Sequence, residues 1–295
     1  MIECMPEPGV AGVIGWPIKH SKSPLIHRFW LGKLGLDGDY SRFPVAPAQL
    51  EQFIRALPAM GLRGVNVTIP HKLAVMPFLD ELEKTARDVG AVNTIVVSEG
   101  GKLKGINTDL EGVRVPLAAA ASLWRPYPNH VATYVQIIGA GGAARAAFCG
   151  AAAAGFTDFD VFARDPAKAA PFAQFVGTPL GGAQPLEALG PIRNPDDGPD
   201  DQRYSHVIIN ASPMGMAGYP EVPINLDDYY PDTIVFDMVY APLETGLLKA
   251  ARARGLTTID GLAMLIGQAA EAFRLFYGAE APRQHDDELR ELLTR

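Results

Sequence analysis

Side chains able to move protons or bind small polar ligands are grouped in three short clusters within the first 110 residues, namely residues 20–23 (HSKS), 66–72 (NVTIPHK) and 107–109 (NTD). A partly desolvated lysine can take the proton of a substrate hydroxyl, and a nearby carboxylate can orient that lysine. Lys72 and Asp109 are therefore the candidate acid–base pair. The alternative roles are a solvated lysine at a helix start and an acidic residue in the first turn of a helix.

The other polar residues of the first two clusters are candidates for holding the ligand. Ser21 and Ser23 carry paired hydroxyls that suit a carboxylate, whereas Ser23 equally suits the cap of a helix that follows it. Asn66 and Thr68 alternate along a predicted strand, which places an amide and a hydroxyl on one face. A turn role for this pair stays open.

Further along the chain, Asn93 begins another predicted strand, where ligand binding and a turn role are equally open. His20 and His71 are interpreted as scaffold or rim residues, because the six histidines show no spacing typical of a metal site. We expect no metal site in this chain.

A glycine-rich turn lies between an apolar run and a small-residue helix pattern. Gly139, Ala140, Gly141, Gly142 and Ala143, followed by a further alanine, fit GxGxxA. The first glycine permits a tight turn, and the second lets a diphosphate approach the N–H groups of the helix N-terminus. The strand–turn–helix context favours dinucleotide binding over a purely structural turn.

The strand after this turn ends in residues that bear on the choice of cofactor. An acidic residue there favours the ribose 2′-hydroxyl of NAD, and cations favour the 2′-phosphate of NADP. Arg164 and Lys168 supply cations, while Asp165 lies between them in the sequence. The residues alone leave the cofactor undecided, and both cations are equally consistent with solvated charges at a helix start.

The elements that must position these residues alternate between strand and helix patterns. The first third reads as βα units, followed by two short helices predicted at 71–79 and 81–89 and by a candidate hairpin at 91–107. Fresh parallel βα units begin near 132. We predict an α/β protein with an N-terminal α/β substrate-binding domain, residues 1–115 completed by 266–295. A Rossmann-type doubly wound parallel sheet occupies residues 116–265, and the acidic segment 194–203 is predicted to be a surface loop.

Composition excludes several classes of function. The chain has 295 residues, 48% of them hydrophobic, and a net charge of −7, which predicts neither nucleic-acid nor membrane binding. Cys4 and Cys149 are far apart, and no basic apolar leader or long apolar run is present. We therefore expect a cytoplasmic protein with a small-molecule partner, either a monomer or a homodimer.

Taken together, the clusters resemble the shikimate dehydrogenase family over residues 15–268. The matching motifs are GxPxxHSxSPxxH at 15–27, NVTxPxK at 66–72, GAVNT at 90–94, NTD at 107–109, GAGGAxR at 139–145, NAxPxGM at 210–216, DMVYxPxxT at 237–245 and GLxMLxxQ at 261–268. The resemblance implies NADP-dependent reversible reduction of 3-dehydroshikimate to shikimate in aromatic amino acid (chorismate) biosynthesis. It also implies a C-terminal helix that returns to the first domain.

By position in these motifs, Lys72 and Asp109 resemble the catalytic pair of the family. The resemblance implies that the substrate is bound by Ser21, Ser23, Asn66, Thr68, Asn93, Tyr240 and Gln268. It implies that the cofactor is bound by Gly139, Ala140, Gly141, Gly142, Ala143, Arg164, Lys168, Met238 and Gly261.

One departure from the family pattern weakens the expectation of NADP. The usual Asn-Arg-Thr is here Ala163-Arg164-Asp165, and an acid in this region is typical of relatives that accept NAD. An NAD-preferring quinate/shikimate dehydrogenase is therefore the first alternative, although Ser23 favours shikimate. A non-catalytic nucleotide-sensing homologue is the second, against which Lys72 and Asp109 argue.

Overall fold

The computed structural model describes residues 9–98, 100–123, 132–178, 181–191 and 204–295. The chain folds into two compact units. The first unit comprises Met1–Thr108 and Gln268–Arg295, and the second comprises Asp109–Gly267. The domain limits 115/116 and 265/266 remain a prediction from the sequence. Cys4 and the acidic segment 194–203 lie outside the described residues.

The first unit is built on a mixed six-stranded sheet in the order β2-β1-β3-β5-β6-β4. Its strands are β1 (Gly9–Gly15), β2 (Gly38–Pro44), β3 (Gly64–Val67), β4 (Glu81–Leu82), β5 (Thr94–Val97) and β6 (Leu103–Ile106). Strands β2 and β3 pair parallel to β1, while β5 pairs antiparallel to β3 and to β6. The β5–β6 pairing confirms the predicted hairpin.

Helices cover this sheet and contribute its core. They are α1 (Ser23–Leu34), α2 (Leu50–Ala56), α3 (His71–Ala74), α4 (Lys84–Val89) and, from the C-terminal part of the chain, α10 (Asp286–Thr294). The helix α9 (Gly261–Tyr277) passes from the second unit into the first at Gln268. Its Ala272 and Phe276 pack with Ala11 and Tyr40, so the predicted apolar face of α9 is buried in the first unit.

The segment 71–89 differs from the two short helices that its pattern predicts. Helix α3 gives way to a 3₁₀ turn at Met76–Phe78, and Glu81–Leu82 form the strand β4. Glu81 lies opposite Lys104 and Leu82 opposite Gly105 in a parallel pairing with β6. The pairing partner lies more than 20 residues away, so local propensity did not reveal this strand.

The second unit is a parallel six-stranded sheet in the order β12-β11-β10-β7-β8-β9. Its strands are β7 (Ala132–Ile138), β8 (Asp158–Ala163), β9 (Gln184–Pro185), β10 (Tyr204–Asn210), β11 (Ile234–Asp237) and β12 (Thr257–Ile259). The connecting helices include α5 (Asp109–Leu123), α6 (Gly142–Ala153), α7 (Pro166–Val176) and α8 (Gly246–Ala253). Numbered within the unit, the strand order is 3-2-1-4-5-6, as in the doubly wound dinucleotide-binding fold. The predicted fold class is confirmed.

Apolar side chains lie on both faces of this second sheet. Val135, Ile137 and Val207 belong to one buried cluster, and Ile138 and Ile208 belong to another. Because adjacent residues of a strand point to opposite faces, a sheet covered on both sides needs such continuous apolar runs. Among the described residues, no helix has the length and apolar character needed to cross a membrane.

Candidate active site

The glycine turn of the second unit connects β7 to α6. Gly139 has φ of 115°, and a Cβ built there would lie 3.0 Å from the Ala211 carbonyl oxygen, so glycine is required on both grounds. Gly141 caps α6 without a side-chain hydrogen bond, and a Cβ built on it would meet nothing within 4 Å. The first-turn N–H groups of Gly142 and Ala143 are thus presented beside open space. This arrangement fits a diphosphate group.

The end of β8 gives Asp165 a defined local role. Its carboxylate caps α7 by accepting a hydrogen bond from the Lys168 N–H at 3.1 Å, and it pairs with the Lys168 Nζ at 3.0 Å. Hydrogen bonds from Lys168 lower the pKa of Asp165 below its ordinary value. Arg164, the residue before it, is exposed. The acidic residue that weakened the expectation of NADP is therefore engaged with the neighbouring cation.

A second polar group lies where β10 and β11 end. The buried Asp237 carboxylate accepts hydrogen bonds from Thr245 Oγ1 at 2.6 Å, from Asn210 Nδ2 at 2.9 Å and from the Val239 N–H at 3.0 Å. Burial is the largest effect on this carboxyl and raises its pKa. These bonds fix the course of the chain from residue 237 into the segment that carries Met238 and Tyr240.

Two of the predicted cofactor-binding residues, Met238 and Gly261, lie in or against this segment. The Met238 N–H donates to the Asn210 carbonyl at 3.0 Å. A Cβ on Gly261 would lie 2.4 Å from the Val239 carbonyl oxygen, so close backbone approach requires glycine there. Burial raises the pKa of the Tyr240 hydroxyl, which keeps it a neutral hydrogen-bonding group.

In the first unit, the serine pair lies at the start of α1. Lys22 occupies the N-cap position of α1 and makes no side-chain capping hydrogen bond. Ser23 is already the first residue of the helix, so the alternative in which Ser23 caps α1 is wrong. Ser21 Oγ lies 3.3 Å from Ser23 Oγ and also accepts from the Ser23 N–H at 3.3 Å. The Arg42 guanidinium donates to the Ser21 carbonyl, with Nε at 3.0 Å. The two hydroxyls are therefore held together at one end of the helix.

Asn66 is buried on β3 opposite Thr94 of β5. Its Nδ2 donates to Thr94 Oγ1 at 2.9 Å and to the Asn93 carbonyl at 3.2 Å. Its Oδ1 accepts from the Tyr40 hydroxyl at 2.6 Å. Thr68 lies one residue beyond the end of β3 and is half-buried, so only Asn66 of the predicted alternating pair is within the strand.

Asn93 joins this group to the C-terminal part of the chain. Its Oδ1 accepts from the Thr108 N–H at 2.7 Å, and its Nδ2 donates to Thr108 Oγ1 at 2.9 Å. The same Nδ2 lies 3.5 Å from Gln268 Oε1. Predicted substrate residues 175 positions apart in sequence thus meet in one buried network.

Lys72 lies in the first turn of α3 and is half-buried. Its carbonyl accepts from the Val92 N–H at 2.8 Å, which ties the lysine backbone to the residue before Asn93. Asp109 is the first residue of α5, directly after Thr108, and it is 3% exposed. Asp109 therefore lies in the first turn of a helix, as its alternative role predicted.

His20 and His71, both interpreted from the sequence as scaffold or rim residues, differ in burial. His71 is buried, and its Nε2 lies 2.7 Å from the Val45 carbonyl, as befits a scaffold residue. His20 is exposed. Within the described ranges, no cluster of three or more His, Cys, Asp or Glu side chains is arranged to hold a metal ion.

The sequence reasoning missed Tyr40, Thr94 and Asp237. Tyr40 is fully buried in the pattern YSRFPV, where its hydroxyl must find a partner inside the protein. That requirement was a usable signal, since a buried tyrosine on a strand points to a polar neighbour. Its partners lie on other elements, and no local pattern identifies them.

The strand order of the second unit and its glycine turn together define a dinucleotide-binding α/β protein. Family models match at both ends of the chain: a shikimate dehydrogenase substrate binding domain over residues 13–95 and a shikimate 5′-dehydrogenase C-terminal domain over residues 261–286. The NADP(+) shikimate dehydrogenase of Sphingopyxis alaskensis is 46% identical over 96% of each chain. The chain therefore belongs to the shikimate dehydrogenase family, and the predicted resemblance is confirmed.

Solved structures agree with this assignment. Shikimate 5-dehydrogenase from Thermus thermophilus, in complex with NADP(H) and shikimate, matches with a TM-score of 0.79 and 31% identity over 97% of this chain and 99% of that one. Quinate dehydrogenase from Corynebacterium glutamicum, in complex with NAD, matches with a TM-score of 0.78 and 30% identity over the same shares.

Proposed function

We propose that the protein catalyses the reversible NADP-dependent reduction of 3-dehydroshikimate to shikimate, in the biosynthesis of chorismate and the aromatic amino acids. The observation that carries the proposal is full-length similarity to curated NADP(+) shikimate dehydrogenases, at 46% identity over 96% of the chain in one case. The glycine turn and the buried polar network supply matching chemistry.

In this proposal most of the substrate-binding residues belong to the first unit. Ser21 and Ser23 hold the carboxylate, helped by Tyr240, because neighbouring hydroxyls can each donate to a carboxylate oxygen. Thr68, Asn93 and Gln268 form hydrogen bonds with the ring hydroxyls of the substrate. Asn66 supports Asn93, since both of its Nδ2 hydrogens are already committed to the Asn93 carbonyl and Thr94.

The proton moves through Lys72, which Asp109 orients. Lys72 is half-buried, and a partly desolvated lysine is suited to exchange a proton with the substrate oxygen. The nicotinamide, when bound, supplies or accepts the hydride. Holding both reactants in one geometry provides much of the acceleration.

The cofactor is held by residues of the second unit. The N–H groups after Gly141 bind the diphosphate, and Met238 and Gly261 lie beside the nicotinamide in this proposal. Arg164 and Lys168 serve the 2′-phosphate of NADP. Support for NADP over NAD comes from the curated relatives, which are named NADP(+) shikimate dehydrogenases.

An assay of four substrate and cofactor combinations tests the proposal. Initial rates are measured for shikimate and quinate with NADP and with NAD. We expect the highest kcat/KM for shikimate with NADP. A higher kcat/KM for quinate with NAD would establish the alternative that the C. glutamicum neighbour represents. Absence of turnover in all four combinations would establish a non-catalytic homologue.

Two further points remain part of the proposal. A cytoplasmic location is expected from the two widely spaced cysteines, which suit a reducing compartment. A monomer or a homodimer is expected in solution, and light scattering on the purified protein distinguishes the two.

A further inference from the structure

We propose that Tyr40 is a positioning residue for substrate recognition, fixing the side-chain amides of Asn66 and Asn93 through one directed chain of hydrogen bonds. The inference rests on the proposed function, because it takes Asn93 as a substrate-binding group. Tyr40 itself is fully buried and acts through Asn66 and Asn93.

The direction of the chain follows from a single carbonyl group. The Asn93 carbonyl oxygen only accepts hydrogen bonds, so the amide of Asn66 must turn its Nδ2 toward it. Asn66 Oδ1 then faces the Tyr40 hydroxyl at 2.6 Å, and an amide oxygen also only accepts. The one proton of the Tyr40 hydroxyl is therefore committed to Asn66.

The same logic continues toward Asn93. Asn66 donates to Thr94 Oγ1 at 2.9 Å, and Thr94 Oγ1 donates to Asn93 Oδ1 at 3.0 Å. Hydrogen bonds that run one way polarise and strengthen one another.

Packing holds Tyr40 in the position that this chain needs. Strand β2 is separated from β3 by β1, a distance of about 10 Å between backbones. Tyr40 lies opposite the small Ala11 of β1, which leaves room for the phenol ring to cross that strand. The His27 ring stacks on the phenol with centroids 4.0 Å apart and planes 10° from parallel. The ring is thus clamped, and its hydroxyl is the part that joins the polar chain.

Removing the hydroxyl alone tests the proposal. Tyr40→Phe keeps the stack on His27, but it leaves Asn66 Oδ1 without the Tyr40 donor. We expect the KM for shikimate to rise about tenfold with kcat changed by less than about twofold, because the lost interaction positions groups that bind ground state and transition state alike. The KM for NADP should stay unchanged, since the chain lies within the first unit.

Tyr277→Phe is the matched control. Tyr277 belongs to the same aromatic group around His27, and its hydroxyl donates to the Asp39 carbonyl at 2.9 Å, outside the chain. We expect this variant to keep the wild-type KM and kcat for shikimate. An equal rise of KM in both variants would overturn the proposal, because it would reflect general loosening of the aromatic group.

A double-mutant cycle asks whether Tyr40 acts through Asn66. The effects of Tyr40→Phe and Asn66→Ala on kcat/KM should be non-additive, whereas those of Tyr277→Phe and Asn66→Ala should multiply. Independent effects for the first pair would contradict the directed chain.

One readout is independent of turnover. The side-chain amide protons of Asn66 and Asn93, followed by NMR, should shift and exchange faster with solvent in Tyr40→Phe but not in Tyr277→Phe. If the wild type fails to oxidise shikimate, the proposed function fails, and these resonances still decide whether the chain exists. Unchanged resonances in Tyr40→Phe would overturn the inference whatever the activity.

Discussion

Acid should destabilise the protein through His27, the imidazole that stacks on Tyr40. His27 is fully buried within an aromatic group that includes Trp30, Phe273 and Tyr277. Among the described residues, neither ring nitrogen has a hydrogen-bond partner. Burial therefore disfavours the imidazolium and lowers the pKa of His27 from 6.5 to about 3.

The sign follows from proton uptake. Between pH 3 and pH 6.5 the unfolded chain binds a proton at this site that the folded chain does not, so stability falls as the pH is lowered through this window. For a pKa of 6.5 in the unfolded chain and about 3 in the folded protein, lowering the pH from 7 to 5 costs about 2 kcal/mol. The neighbouring Tyr40 and Tyr277 have raised pKa values and stay neutral throughout.

Urea unfolding followed by tryptophan fluorescence at pH 7 and pH 5 measures this loss. His27→Phe keeps an aromatic ring and removes the titration, so its loss between the two pH values should be smaller than that of wild type by about 2 kcal/mol. His20→Gln, which removes an exposed imidazole, should lose as much as wild type does. Equal losses in wild type and His27→Phe would refute the reasoning.

Three further variants test other parts of the account. Lys72→Ala should lower kcat by a factor of about 10²–10⁴ and leave shikimate binding largely unchanged. Stopped-flow kinetics measure the turnover, and equilibrium titration measures the binding. Near-normal turnover would eliminate the proton-transfer role of Lys72. Asp165→Asn keeps a capping side chain on α7 but removes the ion pair with Lys168. The ratio of kcat/KM for NADPH to kcat/KM for NADH should therefore rise about threefold at low salt. The control Asp158→Asn, at the other end of β8, should leave this ratio unchanged. An unaltered ratio would show that the carboxylate does not influence cofactor choice. Asp237→Asn should become more stable relative to wild type as the pH rises above the ordinary carboxyl pKa, because burial raises the pKa of Asp237 and disfavours its charged form in the folded protein. Denaturation midpoints of both proteins at several pH values measure this difference. A relative gain in stability of the variant toward low pH would contradict the prediction.

Much of the fold was predictable because its signals are local. The glycine turn at 139–144, the apolar runs of the second sheet and the long α9 each carry their own periodicity or turn chemistry. The strand β4 was missed because two residues carry too little pattern, and its partner β6 is distant in sequence. The family resemblance, not periodicity, identified most of the candidate site residues.

The remaining features of the site depend on contacts that the sequence pattern does not specify. Ser23 has the type and position of a helix cap, yet α1 begins at Ser23 itself, and its hydroxyl lies 3.3 Å from Ser21 Oγ instead. Asp165 was ambiguous between cofactors, and only its pairing with Lys168 shows how its charge is used. Tyr40 belongs to none of the sequence motifs. Its role depends on the hydrogen bond from its hydroxyl to Asn66, which lies on another strand.

Transfer of deuterium from cofactor to substrate tests the central claim most directly. The protein is incubated with 3-dehydroshikimate and NADPH that carries deuterium at the transferring position of C4, and the product is analysed by NMR and mass spectrometry. The account predicts shikimate with one deuterium on the carbon that bore the carbonyl group. Shikimate free of deuterium, or no shikimate at all, would contradict it.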